Sequence, residues 1–103
     1  MIRGTTPTHV FKIPLDVSLI EKLRVSYAQD GKVLITKQNS DQNVTLEGET
    51  VKVRLTQEET LLFDHSKSIA YVQIRVKTTG GEVLSSRIMN FNVFEALNDE
   101  VLT

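Results

Sequence analysis

The segment IAYVQIRVK, residues 69–77, constrains the fold most. Val72, Ile74 and Val76 share one parity, and Tyr71, Gln73, Arg75 and Lys77 share the other. A period of two sends successive side chains to opposite faces of an extended chain, so this is a strand with one dry and one wet face. Strands of that kind belong to antiparallel sheets, since parallel sheets are covered on both sides and read as unbroken apolar runs. The dry face must be buried against a second layer.

Similar short runs recur along the chain, separated by turn residues. Residues 9–15 (HVFKIPL) begin the series, with Phe11 and Ile13 on one face and Pro14 suited to a strand end. Asp16 to Glu21 turn the chain into a second strand, with Leu23, Val25 and Tyr27 opposite Lys22, Arg24 and Ser26. Asp30-Gly31 then predicts a tight hairpin into residues 32–37, because both central residues of a type I′ turn need positive φ. A polar loop (residues 38–43), a short strand (44–46) and a turn at 47–49 lead to a strand over Thr50–Leu55. After Ile69–Lys77, Gly80-Gly81 turns the chain into a final strand within Glu82–Val93.

One segment breaks the rhythm. Thr56 is followed three residues later by Glu59, the spacing of a capping box that starts a helix. A single helical turn here, followed by Leu61, Leu62 and Phe63 to plug one end, carries the chain from one sheet to the other. In immunoglobulin-like domains such a crossing falls between the fifth and sixth strands. The expected fold is therefore all-β: an immunoglobulin-like antiparallel β-sandwich of about seven strands with one short helical crossover turn. One domain spans residues 1–103, with 1–8 as a flexible N-terminal arm and 94–103 as a C-terminal tail. The expected core comprises Phe11, Ile13, Leu23, Val25, Tyr27, Val53, Leu55, Val72, Ile74 and Val76.

Composition narrows the chemistry. The chain has 12 basic and 13 acidic residues, for a net charge of −1, and neither half carries a basic surplus. Nucleic-acid binders usually show one, so no nucleic-acid partner is expected, and any basic patch must be assembled by the fold. There is no cysteine, which removes disulfides, thiolate catalysis and thiolate metal sites. The N-terminal residues lack the apolar stretch of a secretory signal peptide, and no run is long enough for a membrane span.

No cofactor, metal or catalytic site is expected. His9 and His65 lack the helical or cysteine-linked spacing of a metal site. Asp64, His65 and Ser66 contain the letters of a hydrolase triad, but neighbours in sequence cannot fold back into that geometry. Gly80-Gly81 lacks the spacing of a phosphate loop. The oxygen-rich loop Asn39–Asn43 lacks the glycine and terminal glutamate of an EF-hand and reads as turn chemistry.

A protein interface is the site these residues point to: Tyr71, Gln73, Arg75 and Lys77 on the wet face, with Met89 and Phe91 beside them. The last strand leaves two arrangements open, because Ile88 has one parity and Met89, Phe91 and Val93 the other. A bulge near Asn90 brings both sets inward; a regular strand leaves one apolar set outside, next to Tyr71.

Several segments carry a resemblance: MIRGTTPT at the start, DVSLIEK (16–22), YAQDGK (27–32), LEGET (46–50), LTQEET (55–60) and VQIRVK (72–77). Together they resemble small proteins of this length encoded in phages and prophages of Gram-positive bacteria. A weaker likeness is to the N-terminal immunoglobulin-like domain of phage baseplate upper proteins, which also runs strand, capped turn, alternating strand, hairpin and a closing Phe-x-Val, here Phe91 to Val93. This chain ends ten residues after that strand, without the downstream coiled coil or fibre-carrying part. The resemblance implies a non-enzymatic structural or accessory module, tail- or baseplate-associated, that docks onto a phage structural protein or self-associates. It would lie in the virion or in the host cytoplasm during assembly. The alternatives are a host- or carbohydrate-binding adhesin module, or a cytoplasmic assembly factor.

Overall fold

The computed structural model describes all residues from Met1 to Thr103. Eight strands run in the order β1 (Thr8–Lys12), β2 (Ile20–Gln29), β3 (Lys32–Gln38), β4 (Val44–Glu47), β5 (Thr50–Arg54), β6 (Ile69–Thr78), β7 (Val83–Ser85) and β8 (Met89–Asn92), with one helical turn, α1 (Gln57–Thr60), between β5 and β6. One sheet has the order β1-β5-β4; the other has the order β3-β2-β6-β7, with β8 also paired to β6. All strand pairs are antiparallel. Matched to immunoglobulin strand letters, the first sheet reads B-E-D and the second C′-C-F-G. The fold is an immunoglobulin-like β-sandwich, with Ile2 bridged in parallel to Phe94 beyond the last strand.

Local chemistry explains the turns. Asp30 and Gly31 both adopt positive φ, 53° and 73°, as a type I′ hairpin requires. Thr56 caps α1 through a complete capping box: its hydroxyl accepts the Glu59 N–H at 3.1 Å, and the Glu59 carboxylate accepts the Thr56 N–H at 2.9 Å. The capped turn does carry the chain from the three-stranded sheet to the five-stranded one. Of the three residues expected to plug the end, Phe63 is buried, Leu61 half-buried and Leu62 exposed.

The core follows the parity of the strands. Leu23, Val25 and Tyr27 from β2 meet Val72, Ile74 and Val76 from β6, with Val51, Val53 and Leu55 from the facing sheet. Phe11, expected inside, is half-buried against this cluster. Ile35, Val44, Ala70 and Val93 join it. Of residues 1–8, expected to form a flexible arm, Met1 and Ile2 lie against Asn92 and Phe94, residues 3–5 lie against α1, and Thr8 opens β1. The Thr60 hydroxyl accepts the Gly4 N–H at 2.9 Å, and Arg3 donates to the Leu61 carbonyl at 3.1 Å.

The last strand is where the structure corrects the expectation. It divides into β7 and β8 around Ser86–Ile88, so three residues face only Gln73 and Ile74 on β6. That one-residue surplus is a bulge, placed before Met89 rather than near Asn90. It resets the parity. Met89 pairs with Val72 and Phe91 with Ala70, so both turn inward, while Ile88 remains 62% exposed. Ser86 anchors the bulge, its N–H donating to the Ile74 carbonyl at 2.8 Å and its hydroxyl accepting the Ile74 N–H at 3.0 Å.

Candidate functional site

The outer face of the five-stranded sheet is built by β2 and β6. Their register pairs Lys22 with Lys77, Arg24 with Arg75, Ser26 with Gln73 and Ala28 with Tyr71. Paired residues point to the same side of a sheet, so these eight form two adjacent rows. Tyr71, Arg75 and Lys77 are exposed here as the alternation implied. Gln73 is only partly so, because its amide donates to the Ser86 carbonyl at 3.0 Å and steadies the bulge.

Met89 and Phe91 do not belong to this face. Phe91 packs edge-to-face with Phe63 and Tyr27, ring centroids 5.8 and 6.0 Å apart, and lies 5.5 Å from His9. Such ring pairs add roughly 0.5–1.5 kcal/mol each beyond area burial. An aromatic cluster assembled from three strands and the loop after α1 thus captures Phe91, and sequence parity alone cannot show that. Lys22 and Arg24 take its place on the outer face. Their outward parity is legible in the sequence; what is not legible is the β2–β6 register that sets them beside Lys77 and Arg75.

The groups considered for chemistry are engaged structurally. His9 sits half-buried with Nδ1 2.8 Å from the Tyr27 hydroxyl. Burial, and then the N-terminal ammonium charge, hold its pKa below the usual imidazole value. Burial, and then the Glu59 charge, push the Tyr27 hydroxyl well above its ordinary range. A neutral ring and a protonated phenol fit a bond in which Tyr27 donates to Nδ1. Asp64 folds onto its own turn, one carboxylate oxygen accepting both the Ser66 N–H at 2.9 Å and the Ser66 hydroxyl at 2.7 Å. His65 stands exposed in the same turn. In the loop after β3, Asp41 accepts the Gln38 N–H at 2.6 Å and Asn39 accepts the Leu23 N–H at 3.2 Å. Gly81, at φ 88°, serves the β6–β7 hairpin.

Inside the sandwich lies an ion pair that the sequence did not announce. Lys37 is on the inward parity of β3 and nearly buried, and its Nζ meets the Glu59 carboxylate at 2.6 Å. Burial works to raise the Glu59 pKa, but the hydrogen bonds from Lys37 and Thr56 and the Lys37 charge outweigh it, and the value falls below the usual one. Gln29, also buried, exchanges two hydrogen bonds with the Asp64 backbone, at 2.6 and 2.7 Å. An apolar cleft of about 310 Å³ opens between β1 and β7, lined by Phe11, Ile13, Ile74, Val76, Leu84 and Met89 among others. No helix is long and apolar enough to cross a membrane.

No protein-family model matches the chain, and no curated protein matches it. Among solved structures it is similar to the V domain of amphioxus IgVJ-C2, with 10% identity, a TM-score of 0.38, and coverage of 91% of this chain and 95% of that one. The fold assignment rests on the strand order described above.

Proposed function

We propose that this chain is a non-enzymatic docking module, a structural or accessory piece of a phage particle associated with its tail or baseplate. It works by presenting the outer face of its five-stranded sheet to another protein. The phage setting comes from the segment resemblance; the working face comes from the geometry. The observation that carries the docking reading is the gathering of Tyr71, Arg75 and Lys77 with Lys22 and Arg24 on two central, laddered strands. Aromatic and Arg side chains are the usual anchors of protein interfaces, and paired strands hold them without the ordering cost of a loop. His9 and Tyr27, the one imidazole–phenol pair, are tied up in the core.

Amine-reactive cross-linking of purified particles, read by mass spectrometry, tests this. Lys22 and Lys77 should link to a partner protein, and Lys12 and Lys52 of the three-stranded sheet should not. Links made mainly from Lys12 and Lys52 would move the interface to the other sheet. A chain missing from particles altogether would remove the structural role.

A further inference from the structure

The centre of the five-stranded sheet sets like charges face to face. Lys22 is the cross-strand partner of Lys77, and Arg24 of Arg75. All four are exposed, and with Gln38, Asn39 and Ser40 they line one shallow depression of about 390 Å³ that has no carboxylate among its lining residues. Lys77 reaches Glu21 at 3.9 Å, while Lys22, Arg24 and Arg75 make no ion pair. Like charges directly opposite one another destabilise a sheet. This patch is therefore less stable than a neutral one, and an anion laid across it relieves the repulsion.

Resting on the docking reading above, we infer that this face receives an acidic, extended segment of another protein, with carboxylates two residues apart over the Arg24–Arg75 and Lys22–Lys77 pairs. The two cation pairs lie two residues apart along β2, a rise of about 6.7 Å, which is also the repeat of same-side residues in an extended peptide. Each carboxylate then meets two cations. The guanidinium forks of Arg24 and Arg75 suit bidentate contact with its oxygens.

Two other occupants fit less well. A polynucleotide calls for a longer basic track and a surplus of positive charge, whereas this chain carries −1 overall and the depression holds four cations. The acidic tail of a second copy is already engaged at home. Asp99 approaches Arg3 at 3.8 Å, and Leu102 exchanges two hydrogen bonds with the Gln57 side chain, both 2.9 Å.

The test is an NMR titration of the isotope-labelled chain with a short peptide of alternating Glu and Thr, its Gln–Thr counterpart, and single-stranded and duplex oligonucleotides. The Glu–Thr peptide should shift the amides of Lys22, Arg24, Arg75 and Lys77, and the Gln–Thr peptide should not. Binding should weaken as salt rises to about 1 M, where the screening length falls to about 3 Å. Either Arg24→Glu or Arg75→Glu should weaken it by at least about tenfold. Both single variants create a complementary pair across the strands, so the unfolding midpoint should hold or rise, and loss of binding cannot then be loss of fold. Absent shifts, equal shifts with the Gln–Thr peptide, or oligonucleotide binding as tight as the peptide's would overturn the inference. Cross-links from Lys22 and Lys77 without peptide binding would leave the docking face standing and remove only its acidic partner.

Discussion

Glu59 serves two structures at once. It closes the capping box on Thr56 and neutralises Lys37 in the sandwich interior. Only the first role is legible in the sequence, because it lies within one helical turn; the second joins residues distant in the chain and depends on β3 lying at the sheet edge. Losing the Thr56 hydroxyl alone should cost about 1 kcal/mol, the usual price of an N-cap. Glu59→Ala should cost more, since it removes the cap's reciprocal bond and also strands the Lys37 ammonium, a nearly buried charge. Equilibrium urea unfolding of both variants checks the order. Equal losses would mean that the Lys37 contact contributes nothing.

Among the elements, the faces of β6 are legible in residue chemistry and those of the strand after it are not. Residues 69–77 alternate without exception, and their faces follow from parity. Glu82–Val93 contains two apolar parities, and a sequence cannot place the extra residue between them. Packing does: Phe91 completes an aromatic cluster with Tyr27 and Phe63, and the bulge at Ser86–Ile88 makes that possible. Phe91→Ala should therefore destabilise the domain by roughly 2–4 kcal/mol, somewhat less than truncation of a wholly buried ring because Phe91 is partly buried. Tyr71→Ala, on the other face of the same sheet, should stay within about 0.5 kcal/mol. Urea midpoints compared side by side decide this, and the reverse order would mean that the bulge is misplaced.

For the whole molecule, the buried titratable groups set a pH window. The folded His9 pKa lies below the ordinary 6.5, so the unfolded chain takes up the proton first. That contribution to stability is complete above about 6.5 and is lost as pH falls through the folded value. Glu59, depressed from 4.5, adds a second loss at lower pH. Tyr27 acts in the other direction. Raised from its ordinary 10, it contributes fully below that value, and its contribution is lost as pH climbs through its folded pKa. Stability should thus fall between about pH 7 and about pH 5, in the range where histidine titrates, and fall again in strong base. A midpoint unchanged across the first interval would place His9 in solvent. The sandwich, its crossover turn and most of its core were visible in the sequence as alternation and turn residues. The face-to-face cations were not, because they exist only once β2 and β6 are in register.

That register carries the central proposal, that the outer face of β2 and β6 serves a partner in a phage particle rather than the fold. The most direct measurement is the amount of Arg75→Glu chain incorporated into purified particles, relative to wild type and normalised to the folded protein in the lysate. The substitution sets a carboxylate opposite Arg24, so the domain should be as stable as before or firmer by about 0.5 kcal/mol, yet incorporation should fall at least about tenfold. Incorporation equal to wild type would contradict the account.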